Sequence, residues 1–174
     1  RGVVMASAWD MTRDGEMPAR DYLNLALTSI PVEDNMSLLM LTLRHIDEAV
    51  RTFVAPQYRA DAAEDTGRRL LLLARTAASG SDAQRMLVDA AARNATSSEQ
   101  FEAIRGLFDG TQTLDGLDLD VDLKWDLLVS LVRGDAATEA DIDALEAADD
   151  TMTGHKNAAA CRAARSGEWI KADV

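Results

Sequence analysis

Apolar residues recur along the chain at steps of three and four, and the stretches between such runs are short. Between Glu33 and Phe53, residues Met36, Leu39, Met40, Leu43, Ile46, Val50 and Phe53 form one stripe. That spacing predicts an amphipathic helix, with Pro31 and Pro56 as its boundaries. Leu70, Leu71, Leu72 and Leu73 are consecutive, so the helix carrying them is expected to pack on several sides and to end at Ser79-Gly80. Asp82 to Asn94 predicts a shorter, Ala-rich helix whose small side chains permit close packing. The "TSSE" run offers a capping box, with Thr96 as cap and Glu99 reaching back. Phe101, Ile104, Leu107 and Phe108 make the next stripe, closed by Gly110. Leu123, Leu127, Leu128, Leu131 and Val132 follow, closed by Gly134. "TEAD", Thr138 to Asp141, reads as another helix start leading into Ile142 and Leu145, and a last helix is expected from Gly154 to Arg165.

The pattern amounts to roughly eight to ten helices with no convincing pair of strands, so the fold class is all-α. Short connections make sequential neighbours antiparallel. Helices of about three to five turns in consecutive pairs predict helical hairpins stacked as a HEAT-like α-solenoid. Residues 1–174 are expected to form a single helical-repeat domain, although no strict sequence repeat is present.

Composition narrows the function classes. Hydrophobic residues make up 47% of the chain and aromatics 5%, which suits an Ala- and Leu-rich helical core and excludes wholesale disorder. The net charge of −12 leaves no basic face for phosphates, so nucleic acid is excluded as a main partner. No apolar run approaches the roughly 20 residues that span a bilayer, so no membrane partner is expected. Cys161 is the sole cysteine, which forbids an internal disulfide and fits the cytoplasm. The opening "RGVVMASAWDM" lacks the organisation of a signal peptide and does not begin with Met. It is read as a piece of a longer chain that enters a helix at once.

The densest candidate for chemistry is "DGLDLDVDLKWDLL", which crowds Asp115, Asp118, Asp120, Asp122 and Asp126 together. A calcium-binding EF-hand loop needs a glycine at its sixth place and a glutamate at its twelfth, and no register through these aspartates supplies both. The simpler reading is a helix lead-in, with Leu117, Leu119, Val121 and Leu123 turned inward, the aspartates in water, and Asp122 capping a helix that starts at Leu123. His45 lies in "RHIDEAV", but Ala49 stands where HExxH requires a second histidine, so it reads as a helix-surface or interhelical residue. His155 is the other histidine, and Cys161 sits in "NAAACRAA" as a small buried residue with no evident activating base. Ser79-Gly80-Ser81 is not a GxSxG elbow, and neither a P-loop nor GxGxxG occurs. Asp149 and Asp150 read as solvated surface, and Trp9, Trp125 and Trp169 as packing anchors. No catalytic, cofactor-binding or metal-binding residue is assigned.

Three stretches, taken together and in order, resemble a known domain. "WDMTRDGEMPARDYLNLAL" (Trp9 to Leu27) is similar to the opening helical pair of the C-terminal domain of bacterial aminopeptidase N. "GLDLDVDLKWDLLVSLVRGD" (Gly116 to Asp135) is similar to that domain's later segment, with Lys124 where arginine is common. "DDTMTGHKNAAACRAA" (Asp149 to Ala164), followed by "EWIKADV", resembles its final "D.T..G" stretch. The resemblance implies a HEAT-like array at the C-terminal end of a zinc metallopeptidase of the gluzincin type. In that family HExxH, a more distant glutamate ligand and GxMEN lie in an upstream catalytic domain. None of these motifs occurs in the 174 residues, so no catalytic residue is carried over.

What the resemblance implies is a non-catalytic domain that covers the active site and shapes the peptide-entry cavity. Its partners would be its own N-terminal catalytic domain and a peptide substrate met through the concave face. Zinc would belong to the parent enzyme, with no cofactor in this chain. The alternative is a stand-alone helical scaffold for protein–protein interaction.

Overall fold

A computed structural model describes residues 2–165; Trp169 and the "EWIKADV" stretch lie outside them. The described residues contain nine α-helices and no strand, as the hydrophobic pattern predicts. They divide into two compact units, one of residues 2–97 with 114–117, the other of residues 98–113 with 118–165.

The first unit contains α1 (Gly2–Arg13), α2 (Ala19–Ser29), α3 (Met36–Glu48), α4 (Arg59–Thr76) and α5 (Asp82–Arg93). Pro31 lies in a single 3₁₀ turn before α3, and Pro56 opens another before α4, so both prolines do stand at helix boundaries. Asn35 caps α3, its side-chain oxygen accepting from the Ser37 and Leu38 amides at 3.0 and 3.2 Å. The buried row of α3 is Leu39, Leu43 and Ile46, continued by Ala49 and Val50. Met40, expected in the stripe, is 49% exposed. It follows Leu39 by one residue and therefore sits about 100° round the helix, off the buried row. A π-helical turn, Ala49–Phe53, ends the run, with the Val54 amide bonded to the Ala49 carbonyl.

Around α1 the core is aromatic. The Trp9 indole stacks on the His45 imidazole with ring centroids 4.1 Å apart and planes 6° from parallel. Tyr22 and Phe53 meet the same indole at 5.2 and 5.5 Å. On α4 the buried face is Ala63, Thr66, Gly67, Leu70 and Ala74. Of the four consecutive leucines, Leu70 is buried, Leu71 and Leu73 are half-buried and Leu72 is 59% exposed; α4 meets α5, α2 and the π-helical turn, so it packs on several sides but not all round. The most extensive of these contacts is with α5, whose buried face, like that of α4, is rich in small residues. Helix α4 stops at Thr76, earlier than expected. Gly80 serves a different purpose: its φ is +69°, and a Cβ there would lie 2.9 Å from the Gly116 carbonyl oxygen.

The second unit contains α6 (Ser98–Phe108), α7 (Val121–Arg133), α8 (Glu139–Ala148) and α9 (Met152–Arg165). Helix α6 begins one residue later than a Thr96 cap requires. Helix α7 buries Leu123, Trp125, Leu127, Leu128, Leu131 and Val132 almost all round, packing against α6, α8 and α9. Its N-cap is Asp120, whose Oδ1 accepts from the Leu123 amide at 2.8 Å, rather than Asp122. The helix starts two residues sooner than expected because Asp120 can reach that amide, and Val121 is thereby turned outward, 42% exposed. Helix α8 does start at the "TEAD" signal, with the Asp141 carboxylate accepting from the Thr138 amide at 2.7 Å. Helix α9 buries Gly154, Ala158 and Cys161 on one face, and these small residues bring its backbone close to α7 and α8.

Candidate functional site

The aspartate stretch does not converge on a ligand. Asp120 is spent as a helix cap, and the Asp115 carboxylate accepts from the Ser79 hydroxyl at 3.0 Å. Asp118, Asp122 and Asp126 are exposed. Among the described residues, no group of three or more His, Cys, Asp or Glu side chains is arranged to hold a metal ion. The donor set here therefore does not fit a zinc site. No helix among these residues is long and apolar enough to cross a membrane.

The two histidines occupy opposite environments. His45 lies on the Trp9 indole, and burial pushes its pKa down from the ordinary value. His155 is on the surface of α9, with Nδ1 2.9 Å from Glu146 and Nε2 3.2 Å from Asp150. The hydrogen bond to Glu146 raises its pKa. Cys161 is fully buried and burial lifts its thiol to about 11, which leaves it without thiolate character near neutrality. Nothing in the geometry assembles a nucleophile and base from these groups.

Asp149 is more than solvated surface. Its Oδ2 accepts from Trp125 Nε1 at 2.9 Å and its Oδ1 from the Thr151 hydroxyl at 2.8 Å. The Thr151 oxygen in turn accepts from the Gly154 amide at 3.0 Å. A Cβ on Gly154 would stand 2.0 Å from the Asp149 carbonyl oxygen, so only glycine lets the first turn of α9 close over it. The "D.T..G" spacing is thus a staple tying α9 to the tryptophan of α7.

A cleft opens in each unit. In the first, about 550 Å³ opens beside the π-helical turn and is lined mainly by Pro18, Phe53, Val54 and Tyr58, with Arg20 and Asp61 among its polar groups. In the second, about 460 Å³ opens between α6 and the end of α7. Here Phe101, Glu102 and Arg105 face Gly134 and Asp135, and Gln112 and Thr111 lie alongside. Arg105 is already engaged, with Nε 2.9 Å from Asp109 and Nη2 2.8 Å from Asp141. Its Nη1 is enclosed without a hydrogen-bond partner among the described residues. The Arg105 hydrogen bond holds the Asp141 carboxyl down to about 2. This second cleft escaped the sequence reading, because the Phe101–Gly134 contact joins helices that no periodicity relates. The faint signal was an acidic residue after a helix-closing glycine.

Residues 1–174 match the family model of the ERAP1-like C-terminal domain. The chain belongs to that family. It is also 36% identical over its whole length to an aminopeptidase N of Streptomyces lividans, in the C-terminal part of that protein. The chain spans about one fifth of the length of that relative, which is 20% covered. For an ERAP1-like C-terminal domain, the stretches that carried the resemblance now have physical roles in this chain. Trp9 anchors the aromatic core of the first unit, and Trp125, Asp149, Thr151 and Gly154 form the staple of the second.

Proposed function

We propose that the chain is the non-catalytic C-terminal domain of a zinc-dependent aminopeptidase, covering the active site of an upstream catalytic domain and shaping the cavity through which peptides enter. The observation that carries this reading is the match of all 174 residues to the ERAP1-like C-terminal domain, together with 36% identity to the C-terminal part of an aminopeptidase N about five times as long. On this reading the zinc ligands belong to the upstream catalytic domain. The chemistry of a cover is gating: it excludes bulk water and uses contacts far from the scissile bond. The HEAT-like arrangement that the resemblance implies would suit that role, because the concave face of a helical solenoid presents a long surface to a peptide. A cytoplasmic location accords with a single buried thiol.

The test begins with the reading frame upstream of Arg1, which should encode HExxH, a later glutamate ligand and GxMEN. The parent enzyme is then assayed with and without residues 1–174, on an aminoacyl anilide and on a series of longer peptides. Loss of discrimination by peptide length, with zinc content retained, is the expected result. An unchanged length profile would remove the covering role. An upstream frame without those motifs would favour an independent scaffold for protein partners.

A further inference from the structure

The cleft of the second unit has a charge arrangement that selects its ligand. Its one cation, Arg105, is shared by the Asp109 and Asp141 carboxylates, and its enclosed Nη1 cannot be reached from solvent. An anion entering the cleft would therefore have to compete with two carboxylates that already hold Arg105. Glu102 and Asp135 also line the space, and no ion pair or side-chain hydrogen bond among the described residues occupies either carboxylate. Gly134 and Asp135 belong to the carboxyl end of α7, the end of a helix that favours positive charge. The opposite end of α6, at Ser98, is answered by Glu99 in its own first turn.

The apolar part of the cleft is built with equal care. The distal end of the Phe101 ring lies against Gly134 so closely that a Cβ there would come within 2.2 Å of the ring's Cζ. Gly134 has φ −86°, so its turn does not need glycine; the ring does. The left-handed residue of this helix end is Asp135, at φ 57°. The Ala136 amide bonded to Leu131 and the Asp135 amide bonded to Val132 complete the turn. Seating Phe101 on Gly134 brings the residues that follow each of them, Glu102 and Asp135, to one cavity of about 460 Å³.

We propose that this cleft binds a basic side chain, the lysine or arginine of a polypeptide, with its aliphatic stem along Phe101 and its charged head shared by Glu102 and Asp135. A long apolar stem ending in a cation matches a cavity that pairs a phenyl ring with unpaired carboxylates. The proposal does not rest on the peptidase reading, since it concerns binding by residues 1–174 alone.

The test is a titration of the full 174-residue chain, followed by amide NMR, with acetyl-Gly-Lys-Gly-amide and with its norleucine counterpart. The lysine peptide is expected to shift the Phe101, Gly134 and Asp135 resonances, with weaker binding at higher salt. The combined Glu102→Gln and Asp135→Asn variant should bind about tenfold more weakly, and asparagine tolerates the left-handed turn as aspartate does. Asp118→Asn with Asp122→Asn removes the same charge elsewhere and should leave binding unchanged. Equal binding of the norleucine peptide, equal weakening by the Asp118/Asp122 pair, or absence of any shift in the cleft would each overturn the proposal.

Discussion

The two units solve the same packing problem with different materials. The first gathers Trp9, Tyr22, His45 and Phe53 around one indole and leaves the fully buried Tyr22 hydroxyl without a hydrogen-bond partner among the described residues. The second builds its centre from aliphatic residues of α7 and gives its buried indole nitrogen a carboxylate, Asp149. Around that centre runs a chain of ion pairs in which Arg162 of α9 meets Glu139, Asp143 and Glu146 of α8. These pairs are surface-exposed and each contributes little by itself. The difference teaches that shape holds the core around Trp9, whereas the core around Trp125 adds a polar connection at specific atoms; the polar links of the first unit, Asp47 with Arg93 and Asn94, join α3 to the end of α5 instead. Removing the polar atom of Tyr22 and that of Trp125 should therefore act in opposite directions.

The largest effect is expected at Gly154. Alanine there places a methyl group against the Asp149 carbonyl, which is backbone and cannot swing aside, and the cost should be about 3 kcal/mol or more. Gly106→Ala is the control, because the atoms it meets belong to the Gln112 side chain, which can move. Urea unfolding of the two variants should rank them clearly, and equal midpoints would remove the staple from the account. Next comes a pair of opposite sign. Trp125→Phe deprives the Asp149 carboxylate of its donor and should destabilise by about 2 kcal/mol. Tyr22→Phe removes a hydroxyl that is buried without a partner, and should be neutral or stabilising by up to about 1 kcal/mol. Thermal unfolding of both variants checks the signs, and a destabilised Tyr22→Phe protein would contradict the shape-only description of the first core.

The smallest effect sharpens the comparison through pH. Burial lowers the pKa of His45, so the folded first unit favours its neutral form; that contribution is present above the ordinary histidine value and is lost as pH falls through the lowered one. The hydrogen bond to Glu146 raises the pKa of His155, so its contribution is present below the ordinary value and is lost as pH rises through the raised one. Acidification through that region therefore weakens one unit and strengthens the other. Imidazole NMR titration, assigned with His45→Gln and His155→Gln, should find the two pKa values on opposite sides of 6.5. A common value would refute the contrast.

Much of this was legible in the residues and some was not. Helix number, the prolines in the turns before α3 and α4, and the "TEAD" start of α8 follow from local rules that act over one turn. The cap of α7 did not, because five aspartates in a row of alternating residues offer several equally good local partners, and the structure uses Asp120. Leu72 and Met40 were placed inside by hydrophobicity alone, whereas exposure was decided by which face had a neighbour. The second-unit cleft was invisible for a different reason. Gly134 has the appearance of a helix stop, yet its lack of a side chain serves Phe101, a contact set by tertiary packing.

One buried atom gives this molecule a reporter of its own. The Cys161 sulfur is fully enclosed on the face that α9 turns toward its neighbours, and it is the single thiol in the sequence. A thiol-specific reagent added to the native protein can react only when α9 lifts away. The rate of that reaction, followed against denaturant, clocks the detachment of one helix without any engineered label.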